Sequence, residues 1–179
     1  MPTRSGTASR WYCRDIEGQT LDWQVYTSSG LYQRKLIMKI LVATDGSKPA
    51  LNAVKYAIKL VGLLKSTSNA ITLISVHDDA GLRHAKAFVG SDVVADYLRE
   101  LSEKEMKAAR KLLDASGVKH DMEIRTGQPA QEIVARATTG KFDLIVLGSK
   151  GRGAMTDLLL GSVTNRVVAT ATQPVAVIK

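Results

Sequence analysis

From position 38 onward the chain alternates between short apolar runs and segments in which apolar residues recur every three or four positions. The first pattern is typical of buried strands and the second of amphipathic helices. Strands are predicted at residues 40–43, 71–76, 120–125, 142–147 and 174–179. Helices are predicted from residue 47, from residue 91, and over residues 129–139 and 163–172. Residues 78–90 show no period and are predicted to be an irregular connection.

Local signals predict where these helices begin and end. Ser47 is a favourable N-cap with Pro49 in the first turn, and Gly117 and Gly140 are placed to end the second and third helices. The first helix is expected to bury Val54, Ala57, Ile58, Val61 and Leu64, and the second Val94, Leu98, Leu101, Ala108 and Leu112. The strand at 120–125 alternates apolar and charged residues, so one of its faces is expected to be wetter than the other.

This order of elements predicts an α/β fold. Helical crossovers make neighbouring strands parallel, and continuous apolar strands indicate a sheet that is covered on both faces. The predicted fold is an open, doubly wound, five-stranded parallel sheet with helices on both faces. In such sheets ligands bind beyond the carboxyl ends of the strands, near the point where strand order reverses. Residues 43–45, 76–78 and 148–163 are expected to meet there.

Residues 1–37 differ from the rest of the chain. They hold both tryptophans and five of the nine aromatic residues, without a clear period. A short alternation at residues 21–26 predicts one strand that has no partner. The segment is either an extension that packs or binds something, or an upstream or artificially added stretch ahead of a natural start at Met38. We favour the second interpretation, with residues 1–37 poorly ordered and the domain at residues 38–179.

Composition narrows the class of protein. The chain has 179 residues, 45% of them hydrophobic, and a net charge of +8 without a block of five like charges. This favours a globular protein with a solvated basic surface, open to small anionic ligands, over a nucleic-acid-binding protein. The one cysteine, Cys13, allows no intramolecular disulfide, and no apolar run has the length of a membrane span. A cytoplasmic location without membrane attachment is expected.

The stretch GSKGRGAMTDLLLGSV, residues 148–163, carries glycine at both ends. Glycine lets a ligand approach the backbone, and the N-terminus of the helix that follows attracts anions. A polyphosphate is therefore the expected ligand, with Lys150 and Arg152 either near its outer oxygens or directed into water. The alternative is that the glycines serve only tight turns and that Ser162 caps its own helix.

Other phosphate-binding motifs are absent from the sequence. It contains no G-x-x-x-x-G-K-S/T loop, no G-x-G-x-x-G after the first strand and no G-x-S-x-G elbow. The turn after the first strand reads instead Thr44-Asp45-Gly46-Ser47.

Several motifs together resemble the universal stress protein family. They are A-T-D-G-S after the first strand, S-V-H-D after the second, and G-S-K-G…L-L-L-G-S-V followed by a helix and P-V-A-V-I-K. Gly148, Gly151, Gly161 and Ser162 match the signature G-x2-G-x9-G-S/T of the family's ATP-binding branch without a gap. The resemblance covers residues 38–179 and implies a Rossmann-like fold of the adenine nucleotide alpha-hydrolase type.

The resemblance implies a ligand and a role for each of nine residues. Ala43 and Thr44 would line an adenine pocket, Asp45 would bond the ribose hydroxyls, and Val76 would meet adenine through its backbone. Gly148 and Gly151 would lie along the ribose and phosphates, and Gly161, Ser162 and Val163 would hold the phosphates. Asp45 has an alternative role as a turn residue before Gly46. The implied cofactor is ATP with Mg²⁺, the metal being held largely by phosphate and water.

The family also implies a homodimer, commonly formed through the last strand. The apolar residues 175–178 suit this, because an open apolar edge strand invites pairing. The alternative is that this strand is inserted in the middle of the sheet.

Groups suited to catalysis are scarce. His77, His84 and His120 show no metal-ligand spacing, and the adjacent Asp78 and Asp79 are of a kind that is usually solvated. We therefore expect no catalytic and no metal-ligating residues. The first hypothesis is a nucleotide-binding regulatory module of the stress response, in which ATP biases a dimer or a loop and an unidentified protein partner reads the state. The second is a slow ATPase or nucleotidyl transferase, although the H-I-G-H and S-G-G-x-D-S motifs of related enzymes are missing.

Overall fold

The computed structural model describes residues 10–14, 20–24, 38–64, 69–78, 91–153 and 160–179. The chain divides into two units, Met1–Lys35 and Leu36–Lys179. In the first unit, β1 (Arg10–Arg14) pairs antiparallel with β2 (Thr20–Gln24). The expectation of a strand without a partner was wrong, because residues 10–14 form the partner strand. Their apolar run is too short to predict a strand from the sequence. Residues 25 and 26 lie outside the described residues.

The second unit is an α/β sheet whose elements alternate along the chain. They are β3 (Lys39–Ala43), α1 (Lys48–Leu63), β4 (Ala70–His77), α2 (Ser91–Ser116), β5 (His120–Thr126), α3 (Pro129–Thr139), β6 (Leu144–Gly148), α4 (Ser162–Thr170) and β7 (Val175–Ile178). The strand order is β5-β4-β3-β6-β7 and every pairing is parallel. The predicted open, five-stranded parallel sheet is confirmed. Strand order reverses between β3 and β6.

The helices form a layer on each face of this sheet. Alternate residues of β3 point to opposite faces: Ile40 and Val42 pack with α1 and α2, whereas Leu41 packs with α3 and α4. Both clusters are fully buried at their centres, which explains why the central strands are continuously apolar. Of the helices that the structure describes, none is long and apolar enough to cross a membrane.

Three predicted helix boundaries are confirmed. The hydroxyl of Ser47 accepts a hydrogen bond from the backbone N–H of Ala50 at 3.3 Å, as an N-cap does. Gly117 ends α2 with a φ of +65°, a conformation that favours glycine. Gly140 ends α3, and a β-carbon there would lie 2.3 Å from the ring of Phe142.

Part of the predicted buried face of α2 was wrong. Val94 and Leu98 are buried as expected, but in the C-terminal half the fully buried residues are Met106, Ala109 and Leu113, and Ala108 is exposed. The buried face runs between these halves through two polar residues, Ser102 and Glu105. A prediction that counts only apolar residues skips these two positions, so it assigns the wrong helical face to the C-terminal half of α2.

The edge strands also differ from simple expectation. On β5 it is the apolar residues Met122 and Ile124 that are exposed, whereas Glu123 and Arg125 are half-buried against α3. The charged face is the better covered one because α3 supplies ion-pair partners for it. At the other edge lies β7, so the alternative that placed this strand in the middle of the sheet was wrong.

Candidate functional site

A cavity of about 420 Å³ lies at the carboxyl edge of the sheet, where strand order reverses. Its volume falls in the usual range of small-molecule sites, roughly 300–1,000 Å³. The nine residues predicted from the sequence all line it: Ala43, Thr44, Asp45, Val76, Gly148, Gly151, Gly161, Ser162 and Val163. The fold thus brings together residues from the ends of β3, β4 and β6 and from the start of α4.

Sequence reasoning missed part of the wall. Six residues outside the predicted stretches also line the cavity: Ala50, Ile74, Pro129, Ile133, Leu147 and Thr164. Lys150, Arg152 and Gly153, which lie within the predicted stretch 148–163, line it as well. Pro129 and Ile133 belong to the first turns of α3, which starts directly after β5. The rule that ligands bind at the carboxyl ends of parallel strands would have indicated Pro129, since it follows the end of such a strand.

Asp45 is a turn residue and a cavity residue at once. One carboxylate oxygen, Oδ1, accepts a hydrogen bond from the N–H of Ser47 at 3.0 Å, which closes the turn into α1. The other, Oδ2, accepts from the N–H of Arg152 at 3.0 Å. A carboxylate has about four acceptor positions, so this one retains capacity for hydroxyl donors in the cavity.

The backbone of Val76 points past the end of β3. The last hydrogen bond between β3 and β4 among the described residues runs from Thr44 N to Ile74 O, at 2.9 Å. Alternate residues of a strand direct their backbone groups to the same neighbouring strand, so the N–H and C=O of Val76 face the side where β3 has ended. His77 faces the other way, and its carbonyl accepts from Gly127 N at 2.9 Å. Val76 therefore offers an adjacent donor and acceptor at the cavity wall.

The three glycines of the signature have different surroundings. A β-carbon at Gly148 would lie 2.7 Å from the backbone of Pro49 and Ala50, and one at Gly151 would lie 2.7 Å from Oδ2 of Asp45. At Gly161 the nearest atom of the described residues would be 3.4 Å away, an ordinary contact, and φ is −70°. Among the described residues, packing thus opposes a side chain at the first two positions but not at the third.

The start of α4 lacks a side-chain cap. Its N-cap residue is Gly161, which has no side chain to bond the first-turn N–H groups. Ser162 is the first helical residue, so the alternative that Ser162 caps this helix was wrong. The hydroxyl of Thr164 donates to Gly148 O at 2.8 Å and fixes the helix to the end of β6. The helix dipole, and first-turn N–H groups that no side chain of the described residues caps, make this end of the cavity favourable for anions.

A buried carboxylate beside the cavity was not predicted. The guanidinium of Arg152 donates from Nη2 to Oε1 of Glu105, on α2, whose side chain is only 5% exposed. The second oxygen, Oε2, lies 3.5 Å from Nε2 of His77. Arg152 is thus directed to a protein partner rather than into water. The signal that could have found Glu105 is a charged residue on the buried face of a helix.

The remaining candidates from the sequence lie elsewhere. His120 approaches Asp114 at 3.2 Å. Asp79, His84 and Cys13 fall outside the residues whose side chains the structure describes. Within the described part of the chain, no group of three or more His, Cys, Asp or Glu side chains could hold a metal ion.

Comparison with known proteins identifies the family to which this fold and site belong. The model of the universal stress protein family matches residues 37–179, and the chain belongs to that family. Universal stress protein MJ0531 of Methanocaldococcus jannaschii is 35% identical over 144 residues, which are 80% of this chain and 83% of that protein.

Solved structures show the same fold. One of them is MJ0577, a universal stress protein of the same archaeon. Its structure superposes with a TM-score of 0.66 at 31% identity, over 79% of this chain and 95% of that chain. A universal stress protein from Archaeoglobus fulgidus in complex with dAMP superposes with a TM-score of 0.54 at 21% identity, over 79% of this chain and 98% of that chain. At that identity the second likeness concerns the fold alone.

Proposed function

We propose that this protein binds ATP in the cavity at the carboxyl edge of its sheet and acts as a nucleotide-dependent regulatory module of the stress response. The observation that carries the proposal is Gly161. Among the described residues, no side chain caps the start of α4, where Gly161 stands, and no packing contact explains why this position lacks a side chain. A ligand that must approach the backbone closely, as a phosphate does at a helix N-terminus, gives that glycine a reason.

The chemistry of the cavity suits each part of ATP. Ile74, Val76 and Ile133 supply apolar surface for a base, and the backbone of Val76 supplies a donor and an acceptor for its edge. Asp45 supplies carboxylate oxygens for ribose hydroxyls. The start of α4 supplies N–H groups for phosphates, with Lys150 on the same wall. Mg²⁺ would be carried by phosphate and water, which is how this ion is commonly held with nucleotides.

One structural neighbour in the family agrees with an adenine nucleotide. The Archaeoglobus fulgidus protein was solved with dAMP, so the fold accommodates an adenine nucleotide in at least that member. For this chain, the support comes from nine residues nominated from the sequence, four of which match the ATP-binding signature, and all of which line one cavity.

Binding without rapid turnover is the better supported activity. In the described wall the carboxylate is that of Asp45, which accepts two backbone hydrogen bonds and whose remaining acceptor capacity is assigned to the ribose hydroxyls. A base that activates water needs a free acceptor next to the reacting phosphate. We infer that the bound nucleotide is a signal rather than a substrate, read by a partner protein.

The proposed assembly is a homodimer formed through β7, with residues 38–179 as the working domain. Val175–Ile178 is a four-residue apolar strand at the edge of the sheet, with all four residues half-buried. Such an edge is stabilised when a second strand pairs with it. Sedimentation velocity of the protein with and without Mg-ATP measures the assembly directly.

Calorimetric titration of the full chain with Mg-ATP tests the proposal. We expect one site per chain, and affinity that falls by about tenfold or more in Gly161→Val, because the added methyl groups occupy the phosphate approach. Gly161→Ala adds a single methyl group that makes only ordinary contacts. It therefore tests the same position in a variant that is expected to fold normally. Gly62→Val is the matched control, since Gly62 is exposed on α1 and no atom of the described residues lies within 4 Å of its β-position. Equal affinity in wild type and Gly161→Val would remove the start of α4 from the site.

A further inference from the structure

Both the backbone and the side chain of Arg152 are held by hydrogen bonds. Its backbone N–H donates to Asp45 Oδ2 at 3.0 Å, and its guanidinium donates to Glu105 Oε1. The first bond reaches the turn after β3 and the second reaches the middle of α2. This one residue therefore connects the loop after β6 to two other segments of the domain.

Glu105 is a fixed and nearly buried partner for it. The Glu105 side chain is 5% exposed, whereas that of Arg152 is 54% exposed. The backbone of Glu105 packs against Gly46, where a β-carbon would come within 3.2 Å of it. Its second carboxylate oxygen faces His77 at 3.5 Å. Separating Arg152 from Glu105 would leave the buried carboxylate without this partner, so the pair resists separation by a competing anion.

We propose that the Glu105–Arg152 pair positions residues 149–153 for the phosphates of the ligand, although Glu105 does not line the cavity. The inference rests on the proposed nucleotide site and assigns Arg152 a role other than direct phosphate contact. Because its guanidinium is held by Glu105, Arg152 acts through the loop backbone, which it fixes between Asp45 and α2. Glu105 is accordingly a positioning residue for the polyphosphate end of the site.

A double-mutant cycle on the full chain tests this role. Glu105→Gln and Arg152→Gln are each expected to weaken Mg-ATP binding by roughly tenfold, the size of one charge-assisted hydrogen bond. The double variant is expected to be no weaker than either single variant, because both changes break the same pair. Affinity for AMP is expected to stay within about twofold, since only the polyphosphate end depends on the loop. Glu103→Gln, the same substitution at an exposed position of α2, is the control.

Other results overturn the proposal. A loss in Arg152→Gln but not in Glu105→Gln, or tighter binding in Glu105→Gln, would mean that Arg152 contacts the phosphates directly. Equal losses for ATP and AMP would indicate a general structural effect. If Glu105→Gln folds poorly, Arg152→Gln tests the same pair from its exposed end, and Arg152→Lys should recover part of the affinity.

Hydrogen exchange separates this proposal from that of the nucleotide site. Without any nucleotide, the amides of Gly151, Arg152 and Gly153 should exchange at least about fivefold faster in Glu105→Gln than in wild type, because the loop has lost its anchor on α2. Unchanged exchange overturns the positioning role whether or not the protein binds ATP. Faster exchange in a protein that binds no ATP would uphold the loop anchor and refute the proposed function.

Discussion

Gly151 lies so close to Asp45 that a β-carbon at position 151 would be 2.7 Å from Oδ2 of that carboxylate. The same oxygen accepts the N–H of the next residue, Arg152. The absence of a side chain at 151 and the carboxylate at 45 are therefore one arrangement, built from segments more than 100 residues apart. It joins the turn after β3 to the loop after β6 and forms one wall of the cavity.

Substitution of Gly148 is expected to damage the fold. A methyl group there meets the backbone of Pro49 and Ala50 at 2.7 Å, and neither β6 nor α1 can move away without disturbing the core. Gly148→Ala should lower the free energy of unfolding by about 1–3 kcal/mol, the usual cost of overpacking. Urea denaturation measures the loss. Gly161→Ala, in the same loop signature, should change stability by less than about 0.5 kcal/mol, and a loss as large as that of Gly148→Ala would contradict the assignment.

Loss of the Asp45 carboxylate is expected to affect both the loop and the ligand. Asp45→Ala removes the acceptor of two backbone N–H groups and should cost about 1–3 kcal/mol of stability. If Asp45 also bonds the ribose, wild-type protein should prefer ATP to its 2′,3′-dideoxy analogue, and the variant should lose that preference. Competitive titration with the two nucleotides measures it. A preference of equal size in both proteins would leave Asp45 with the role of a turn residue alone.

The pair between Glu123 and Arg136 is expected to make stability depend on pH. Hydrogen bonds from Arg136 hold the pKa of Glu123 below its ordinary value of 4.5, against the opposing effect of burial, and the charges of Arg136 and Arg125 lower it further. A carboxylate whose pKa is depressed in the folded protein stabilises the folded state at pH values above its ordinary pKa. This contribution is lost as the pH falls below about 4.5. Glu123→Gln should cost about 1 kcal/mol at pH 7 and flatten the acid limb of the stability curve.

Urea denaturation of both proteins between pH 3 and pH 7 checks this dependence. Asp96→Asn is the control, since its ion pair with Arg99 is exposed on the surface of α2 and should contribute little. Parallel acid limbs in wild type and Glu123→Gln would show that Glu123 titrates normally in the folded protein.

Deletion of residues 1–37 is expected to leave nucleotide affinity and assembly unchanged. The cavity and β7 both lie in the second unit of the chain, which begins at Leu36. Calorimetry and sedimentation of residues 38–179 against the full chain check this, with circular dichroism as the probe of folding, because the deletion removes both tryptophans. A lower affinity or a change in assembly would make the N-terminal segment part of the working protein.

The sequence predicted those parts of the fold that depend on local signals. Three helix boundaries each depend on the conformation or hydrogen bonds of one residue, and each was predicted correctly. These residues are Ser47, which begins α1, and Gly117 and Gly140, which end α2 and α3. Nine cavity residues were also nominated from sequence: the carboxyl-edge rule indicated the stretches that contain them, the signature spacing indicated four of them, and the family resemblance implied the rest.

The missed features are contacts between distant segments. Glu105 takes its importance from Arg152, 47 residues later, and from a phase of α2 that only packing reveals. The exposure of Met122 on β5 depends on which faces the helices cover, and the pairing of β1 with β2 has no periodic signal. Alternation identifies a strand but does not determine which of its faces finds a partner.

The most direct test of the central claim is to purify the full chain, denature it and identify by chromatography any nucleotide released, followed by titration of the stripped protein with Mg-ATP. The account predicts ATP with its phosphates intact at up to one per chain, and saturable binding that is lost in Gly161→Val. Recovered ADP, with turnover that the same variant abolishes, would indicate an ATPase instead. If no nucleotide is released and the titration gives no heat of binding, the account is contradicted. The glycines of the loop would then have a purely structural role.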